Sequence, residues 1–229
     1  MLTFENLCFT NADFSLSAHM EISDGKVVAI LGPSGAGKST LLHGVAGFVP
    51  QTTGRLMWQN KDISAQSPDR RPVSMLFQDN NLFPHLTVLQ NVALARTSSL
   101  RPREHVAALV EDILTKVGLS GMSHRKPSAL SGGQQSRVAL ARALLQNKPV
   151  MLMDEPFSAL GPALKNEMLD ITVSLAEHRT VIMVTHDPKD AVRIAEEVIA
   201  VIGGKARPPV ATQEFMAAPP EPMRDYFVA

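Results

Sequence analysis

What this chain has little of already narrows what it does. It carries one cysteine, Cys8, so no disulfide can form within it, and the shortage fits a reducing compartment. Cys8 itself reads as a small buried apolar side chain. Neither sign of charge is in excess: Lys+Arg and Asp+Glu both number 22, which argues against a global pull toward nucleic acid or acidic lipid. No apolar run approaches the length of a membrane span. The opening residues, MLTFENLCFTNADF, lack the basic stretch and apolar run of a secretory signal. Any role at a membrane is therefore expected to come through a protein partner. What is present is ordinary. A length of 229 residues, 45% apolar and 19% charged, suits one globular domain (1–229) with a sizeable core.

Periodicity orders the chain. Val27–Leu31, Arg55–Gln59, Val73–Phe77, Val150–Met153, Val181–Thr185 and Val198–Ile202 read as strands, several of them continuously apolar and so buried. Val88, Asn91, Val92 and Ala95 lie on one helix face, and Val106, Leu109, Val110, Ile113 and Leu114 on another, which Gly118 ends. Residues 134–146, 164–178 and 188–196 read as further helices. Alternating strands and helices predict an α/β fold with a mostly parallel sheet. The helix-only stretch, about 87–147, predicts an inserted helical subdomain. The tail from 206 holds Pro208, Pro209, Pro219, Pro220 and Pro222 and is expected to pack loosely. No internal repeat is present.

The strand at 27–31 runs into Gly32-Pro-Ser34-Gly35-Ala-Gly37-Lys38-Ser39-Thr40, followed by the apolar residues Leu41 and Leu42. This matches G-x-x-x-x-G-K-[ST] between a strand and a helix. Glycines permit the tight turn and a close backbone approach. Inward N–H groups at a helix N-terminus make an anion site. Lys38 supplies a mobile charge for β- and γ-phosphates, and Ser39 a hydroxyl for Mg²⁺, which prefers oxygen ligands. By itself the pattern says only that phosphate is bound.

A second constellation states the use of that phosphate. Val150–Met153 buries a strand that ends in Asp154-Glu155-Pro156, where parallel sheets place ligands. Asp154 suits Mg²⁺ or its waters; Glu155 suits an attacking water. Two acids and a metal meet the needs of phosphoryl transfer, which is mainly positioning and charge neutralisation. His186 ends the next apolar strand, within reach of a γ-phosphate or of Glu155. Gln78 ends the strand at 73–77, where its amide could meet Mg²⁺ or water. Leu130-Ser131-Gly132-Gly133-Gln134 opens a helix with a capping serine and exposed N–H groups. It looks like a second anion site, either for another anion or for a nucleotide held by a second chain.

Taken together and in this order, GPSGAGKST, Gln78, LSGGQ, VMLMDEP and the histidine of VTHD resemble the ATP-binding-cassette (ABC) transporter ATPases over about residues 1–205. The resemblance implies a P-loop core with an N-terminal antiparallel β subdomain. It implies ATP and Mg²⁺ as ligands, and a head-to-tail homodimer in which Ser131, Gly132, Gly133 and Gln134 of one copy close on the ATP of the other. LFQDNNLFPHLTVLQNVAL (76–94) and Pro127 resemble the subunits of bacterial solute importers. There, Leu82 and Phe83 would lie near the groove for a permease helix, or else pack locally. Residues 70–91 and 141–170 are most similar to the thiamine-importer branch; iron and polyamine importers, and a weakly hydrolysing switch, stay open as alternatives. Such a subunit works at the cytoplasmic face of the cell membrane, bound to integral permease subunits and indirectly served by a periplasmic binding protein. Three departures stand out. Gly161 replaces an aspartate that links the two sites, Gln135-Ser136 replaces Arg-Gln, and Asn11 stands where an adenine-stacking aromatic is expected. Phe9 and Phe14 are the nearest substitutes, and Phe14 reads as core.

Overall fold

The computed structural model describes residues 1–11 and 14–227. The elements begin with strands β1 (Leu2–Asn11), β2 (Phe14–Ile22) and β3 (Val27–Leu31), then helix α1 (Lys38–Ala46). Strands β4 (Thr53–Trp58), β5 (Lys61–Asp62) and β6 (Val73–Leu76) follow, and then three helices, α2 (Val88–Ala93), α3 (Glu104–Lys116) and α4 (Gly132–Leu145). The remainder alternates: β7 (Val150–Asp154), α5 (Pro162–Ala176), β8 (Thr180–Val184), α6 (Pro188–Ile194) and β9 (Glu197–Ile202). It closes with β10 (Lys205–Ala206), β11 (Val210–Ala211) and α7 (Thr212–Ala217).

One curled sheet runs in the order β5-β4-β1-β2-β10-β9-β3-β8-β7-β6, with β11 on the free side of β9. Its first part is antiparallel and half exposed, so β2 alternates buried and open side chains. Its second part, β9-β3-β8-β7-β6, is parallel. Strands β3, β7 and β8 are buried along their whole length, as strands covered on both faces must be. Helix α1 covers one face of this sheet, among Leu41, Leu42, Val45, Leu152, Ile182 and Val184. On the other face α4 and α5 join α2 and α3 in a second cluster, built on Val138, Leu140, Met151, Met153, Met168 and Met183. Each such fully buried side chain contributes about 1.5–3 kcal/mol of transfer free energy. Helix α3 buries Val106, Val110 and Leu114 at a spacing of four, and α2 starts in a reciprocal Thr87–Gln90 capping box.

Two findings depart from the pattern reading. The proline-rich tail does not lie loose over 207–223: Phe215 and Met223 are buried against Ala29, Leu31, Val198 and Ala200. Apolar residues too sparse to show a period still suffice to dock a short segment. Arg71 is buried as well, with no carboxylate partner among the described residues. Its guanidinium donates to the carbonyls of Gly44 (2.7 Å), Val45 (2.8 Å), Ser64 (2.8 Å) and Gln66 (3.0 Å). Two of these belong to the last turn of α1, where the helix dipole favours a cation. Burial lowers its pKa from the usual arginine value. Arg71→Met is expected to take a donor from all four carbonyls, of which Gly44 O keeps a backbone bond from Gly47 N–H (3.1 Å), and to cost roughly 3–5 kcal/mol. In a chain of this size that lowers the melting temperature by about 10 °C, which thermal unfolding followed by circular dichroism would register.

Candidate functional site

Parallel strands end on one side of the sheet, and that fact assembles the site. Strand β3 lies beside β8, β8 beside β7, and β7 beside β6. The residues after those strands are the phosphate loop, His186, Glu155 and Gln78. Four segments far apart in sequence thus come to one edge.

The phosphate loop is shaped by what its glycines leave out. A Cβ on Gly32 would stand 2.2 Å from the carbonyl oxygen of Val201, so the chain can pass β9 only without one. Gly37, at φ +103°, adopts a left-handed conformation just before α1, and a Cβ there would meet the Phe14 ring at 2.5 Å. Around the loop, Phe14, Ser34, Gly35, Gly37, Lys38, Ser39, Thr40 and Glu155 line an open cavity of about 280 Å³. Lys38 is buried and folds back, with Nζ 2.8 Å from Gly32 O and 3.0 Å from Pro33 O. Burial pulls its pKa below the ordinary lysine value, against the raising effect of Glu155 and Asp154. A desolvated ammonium held only by carbonyls is a ready partner for phosphate.

The acids occupy complementary places. Asp154, the last residue of β7, is buried and accepts from Ser39 Oγ at 2.9 Å. These two oxygens fit Mg²⁺, whose remaining ligands would be water and phosphate. Among the described residues no group of three or more His, Cys, Asp or Glu could hold a metal by itself. Glu155 stands in a left-handed conformation, φ +42°. The proline that follows disfavours the right-handed helical region for it, and the bond from its N–H to Val184 O holds the turn at 3.1 Å. Its Oε2 lies 3.0 Å from His186 Nδ1. The structure therefore brings together Gly32, Ser34, Gly35, Gly37, Lys38, Ser39, Thr40, Asp154, Glu155 and His186.

It does not bring in the rest. Gln78 follows β6 but is exposed. The loop after it is tethered instead: Arg142 donates to the carbonyls of Asn80 and Asn81, and Asn91 Oδ1 accepts from Phe83 N. Phe83 remains 46% exposed and Leu82 is half-buried. Ser131 caps α4 reciprocally with Gln134, and Gly133 packs on Leu164. Ser131 and Gly132 are exposed and line no part of the phosphate cavity. Gly161 caps α5 at an ordinary φ of −63°, and a Cβ there would meet nothing within 4 Å. Nothing in the structure requires glycine at that position.

Phe14 does both things: half-buried, it packs against the core cluster, and it also borders the phosphate cavity beside Gly37. Phe9 is wholly core, 2% exposed and seated on Gly44. The side chain of Asn11 lies outside the described residues. His43 was not evident from motifs. One helical turn after Ser39, it places Nε2 3.1 Å from Asp154 Oδ2, without a hydrogen bond between them. Its ring meets Phe48 and Phe77. The four-residue spacing from Ser39 is the signal that could have found it.

A glycine-lined phosphate cradle at the head of a parallel sheet, with acids and a histidine on the adjoining strand ends, defines a P-loop nucleotide hydrolase. The family described as "ABC transporter" matches residues 16–158. The thiamine import ATP-binding protein ThiQ of Ruegeria sp. (strain TM1040) is 49% identical over 233 residues, covering 100% of both chains. Its counterpart from Yersinia pestis is 45% identical, over 90% of this chain and 88% of its own. Among solved structures, the dimeric post-hydrolysis state of the ATP-binding cassette MJ0796 bound to ADP and Pi shares 29% identity at a TM-score of 0.79. It covers 93% of this chain and 99% of its own. The chain belongs to the ABC transporter family: it is an ATPase whose hydrolysis is coupled to transport, and the family implies dimerisation and membrane permease partners. No helix among the described residues is long and apolar enough to cross a membrane.

Proposed function

We propose that this chain powers a bacterial importer of thiamine or its phosphates, from the cytoplasmic face of the cell membrane. The observation that carries the ATPase half is the convergence of Lys38, Ser39, Asp154, Glu155 and His186 on one open edge. Lys38 and the loop N–H groups hold the β- and γ-phosphates. Ser39 and Asp154 would hold Mg²⁺, which would supply charge neutralisation when bound. Gln78, exposed just after β6, would be the further candidate ligand for that ion or its water. Phe14 offers a ring for the adenine. Glu155 accepts the proton of the attacking water, and His186 orients that carboxylate.

The exposure of Ser131 and Gly132, away from this cavity, supports a homodimer in which the LSGGQ segment of one copy closes on the ATP of the other. Exposed Phe83, held in place by Asn91, suits contact with a permease helix. The names of the full-length relatives support the solute. The permease and a periplasmic binding protein would select it.

Labelled thiamine uptake tests this in cells lacking the gene, complemented with wild type or Lys38→Met. Restoration by wild type alone is expected. No restoration by wild type, from a chain that hydrolyses ATP when purified, would move the assignment to another solute.

A further inference from the structure

The turn that carries His186 is held by more charge than a strand end needs. Lys165, in the first turn of α5, places Nζ 2.6 Å from Asp187 Oδ2 and 2.7 Å from Asp190 Oδ1. Asp187 Oδ1 accepts from Lys189 N at 2.9 Å, capping α6. Thr185 Oγ1 donates to Asp190 Oδ2 at 2.7 Å and accepts from Asp187 N at 3.0 Å. Both neighbours of His186 are therefore tied into one cluster, and its centre is Lys165. The imidazole has little packing of its own, being 58% exposed, so the path of residues 185–187 sets its direction.

The cluster is also electrostatically committed. Burial opposes the Lys165 charge, yet the bonds to Asp187 and Asp190 outweigh it and hold its pKa above the usual lysine value. Without the ammonium, two carboxylates that share one nitrogen would repel. Lys165 reaches them from α5, and it borders a cavity of about 90 Å³ shared with Glu155, Leu160, Pro162 and His186. The hydrolytic pair and the start of α5 thus meet through this one side chain.

We propose that Lys165 is a positioning residue for hydrolysis: by binding Asp187 and Asp190 it holds the 185–187 turn, and through it His186, against Glu155. The inference rests on the assignment of Glu155 and His186 made above. It does not require Lys165 to touch nucleotide.

The test is steady-state ATP hydrolysis by the purified chain, with kcat and KM measured for Lys165→Met, Lys165→Arg, Asp187→Asn, His186→Ala and the Lys165→Met/His186→Ala double variant. Lys165→Met is expected to lower kcat about 10- to 100-fold and to leave KM for ATP within about twofold. Lys165→Arg, which keeps the charge, recovers most of the loss. The double variant is no slower than His186→Ala alone, because both changes remove one effect. The imidazole ¹⁵N signals of His186, assigned by their loss in His186→Ala, move toward those of a free histidine in Lys165→Met. Should Lys165→Met fail to fold, Asp187→Asn opens the clamp from its half-buried side, and the same fall in kcat is expected. Unchanged kcat in whichever of these folds, or losses that multiply with His186→Ala, would overturn the proposal. If His186→Ala and Glu155→Gln both retain full turnover, the hydrolytic assignment itself fails. Slow His186→Ala beside fast Lys165→Met sinks only the role of Lys165.

Discussion

Glu155→Gln is expected to lower ATP turnover by about 10²- to 10⁴-fold, the range a positioned general base supplies, while ATP binding and ATP-dependent dimerisation persist. The substitution keeps the size of the side chain and its reach to His186, 3.0 Å away in the wild type. It removes the capacity to take a proton and, with it, the negative charge that acts on Lys38. Folding has little to lose, since Glu155 is partly exposed and its left-handed backbone is held by Val184 O and the following proline, not by its carboxylate. Glu155 borders the phosphate cavity, but the groups that would hold phosphate are Lys38, Ser39 and the loop N–H groups, and losing a negative charge beside them gives nucleotide affinity no reason to fall. Phosphate release measured beside size-exclusion chromatography with and without ATP separates the two outcomes. A variant that dimerises on ATP and does not turn over supports the base; full turnover would remove Glu155 from that role.

The second large effect is on binding. Lys38→Met is expected to weaken ATP affinity by about 100-fold or more, since a desolvated charge pair with phosphate is worth several kcal/mol. The same change is expected to leave the nucleotide-free protein as stable as wild type, or more so. Lys38 is buried and held by Gly32 O and Pro33 O, and replacing a buried charge by an apolar chain of similar length is often neutral or stabilising. Melting curves with and without ATP would read both parts: the ATP-induced shift disappears while the baseline does not fall. The pH dependence has a definite sign. Burial lowers the Lys38 pKa, so the folded chain holds that proton less tightly than the unfolded one. Stability linked to Lys38 rises with pH in the window just below 10.5, and Lys38→Met flattens that rise. A lower baseline melting temperature in the variant, with ATP binding intact, would make Lys38 a structural residue.

The chemistry was legible wherever it sat on contiguous residues. GPSGAGKST between an apolar strand and a helix, and two acids at the end of another apolar strand, follow from backbone geometry that neighbouring residues alone determine. Hence Lys38, Ser39, Asp154, Glu155 and His186 were all expected, and all meet. Ser131 was expected to cap α4, and it does so with Gln134 as its reciprocal partner. The misses share a cause. Phe14 read as core, and it does pack there; what the sequence did not show is that the same ring also stands beside Gly37 at the cavity. Lys165 and Arg71 carry no local signature, since they reach partners on other elements; His43 carried only its four-residue spacing from Ser39, and its partner Asp154 lies far along the chain. The tail at 207–223 looked loose because its prolines hide a docking contact made by a few apolar side chains, chiefly Phe215 and Met223 with Met216 beside them.

By itself, then, the amino-acid sequence determined the alternation of strands and helices, the phosphate loop and the acids at the end of β7. These depend on periodicity, on glycine's freedom at particular turns and on the order of residues along one segment. The tertiary structure decided the rest. The order β3-β8-β7-β6 put four strand ends on one edge, and packing gathered Lys165, Asp187 and Asp190 around the turn of His186. The physical reason is that burial and charge pairing are set by what lies across space, and a parallel sheet brings together segments that lie dozens of residues apart along the chain.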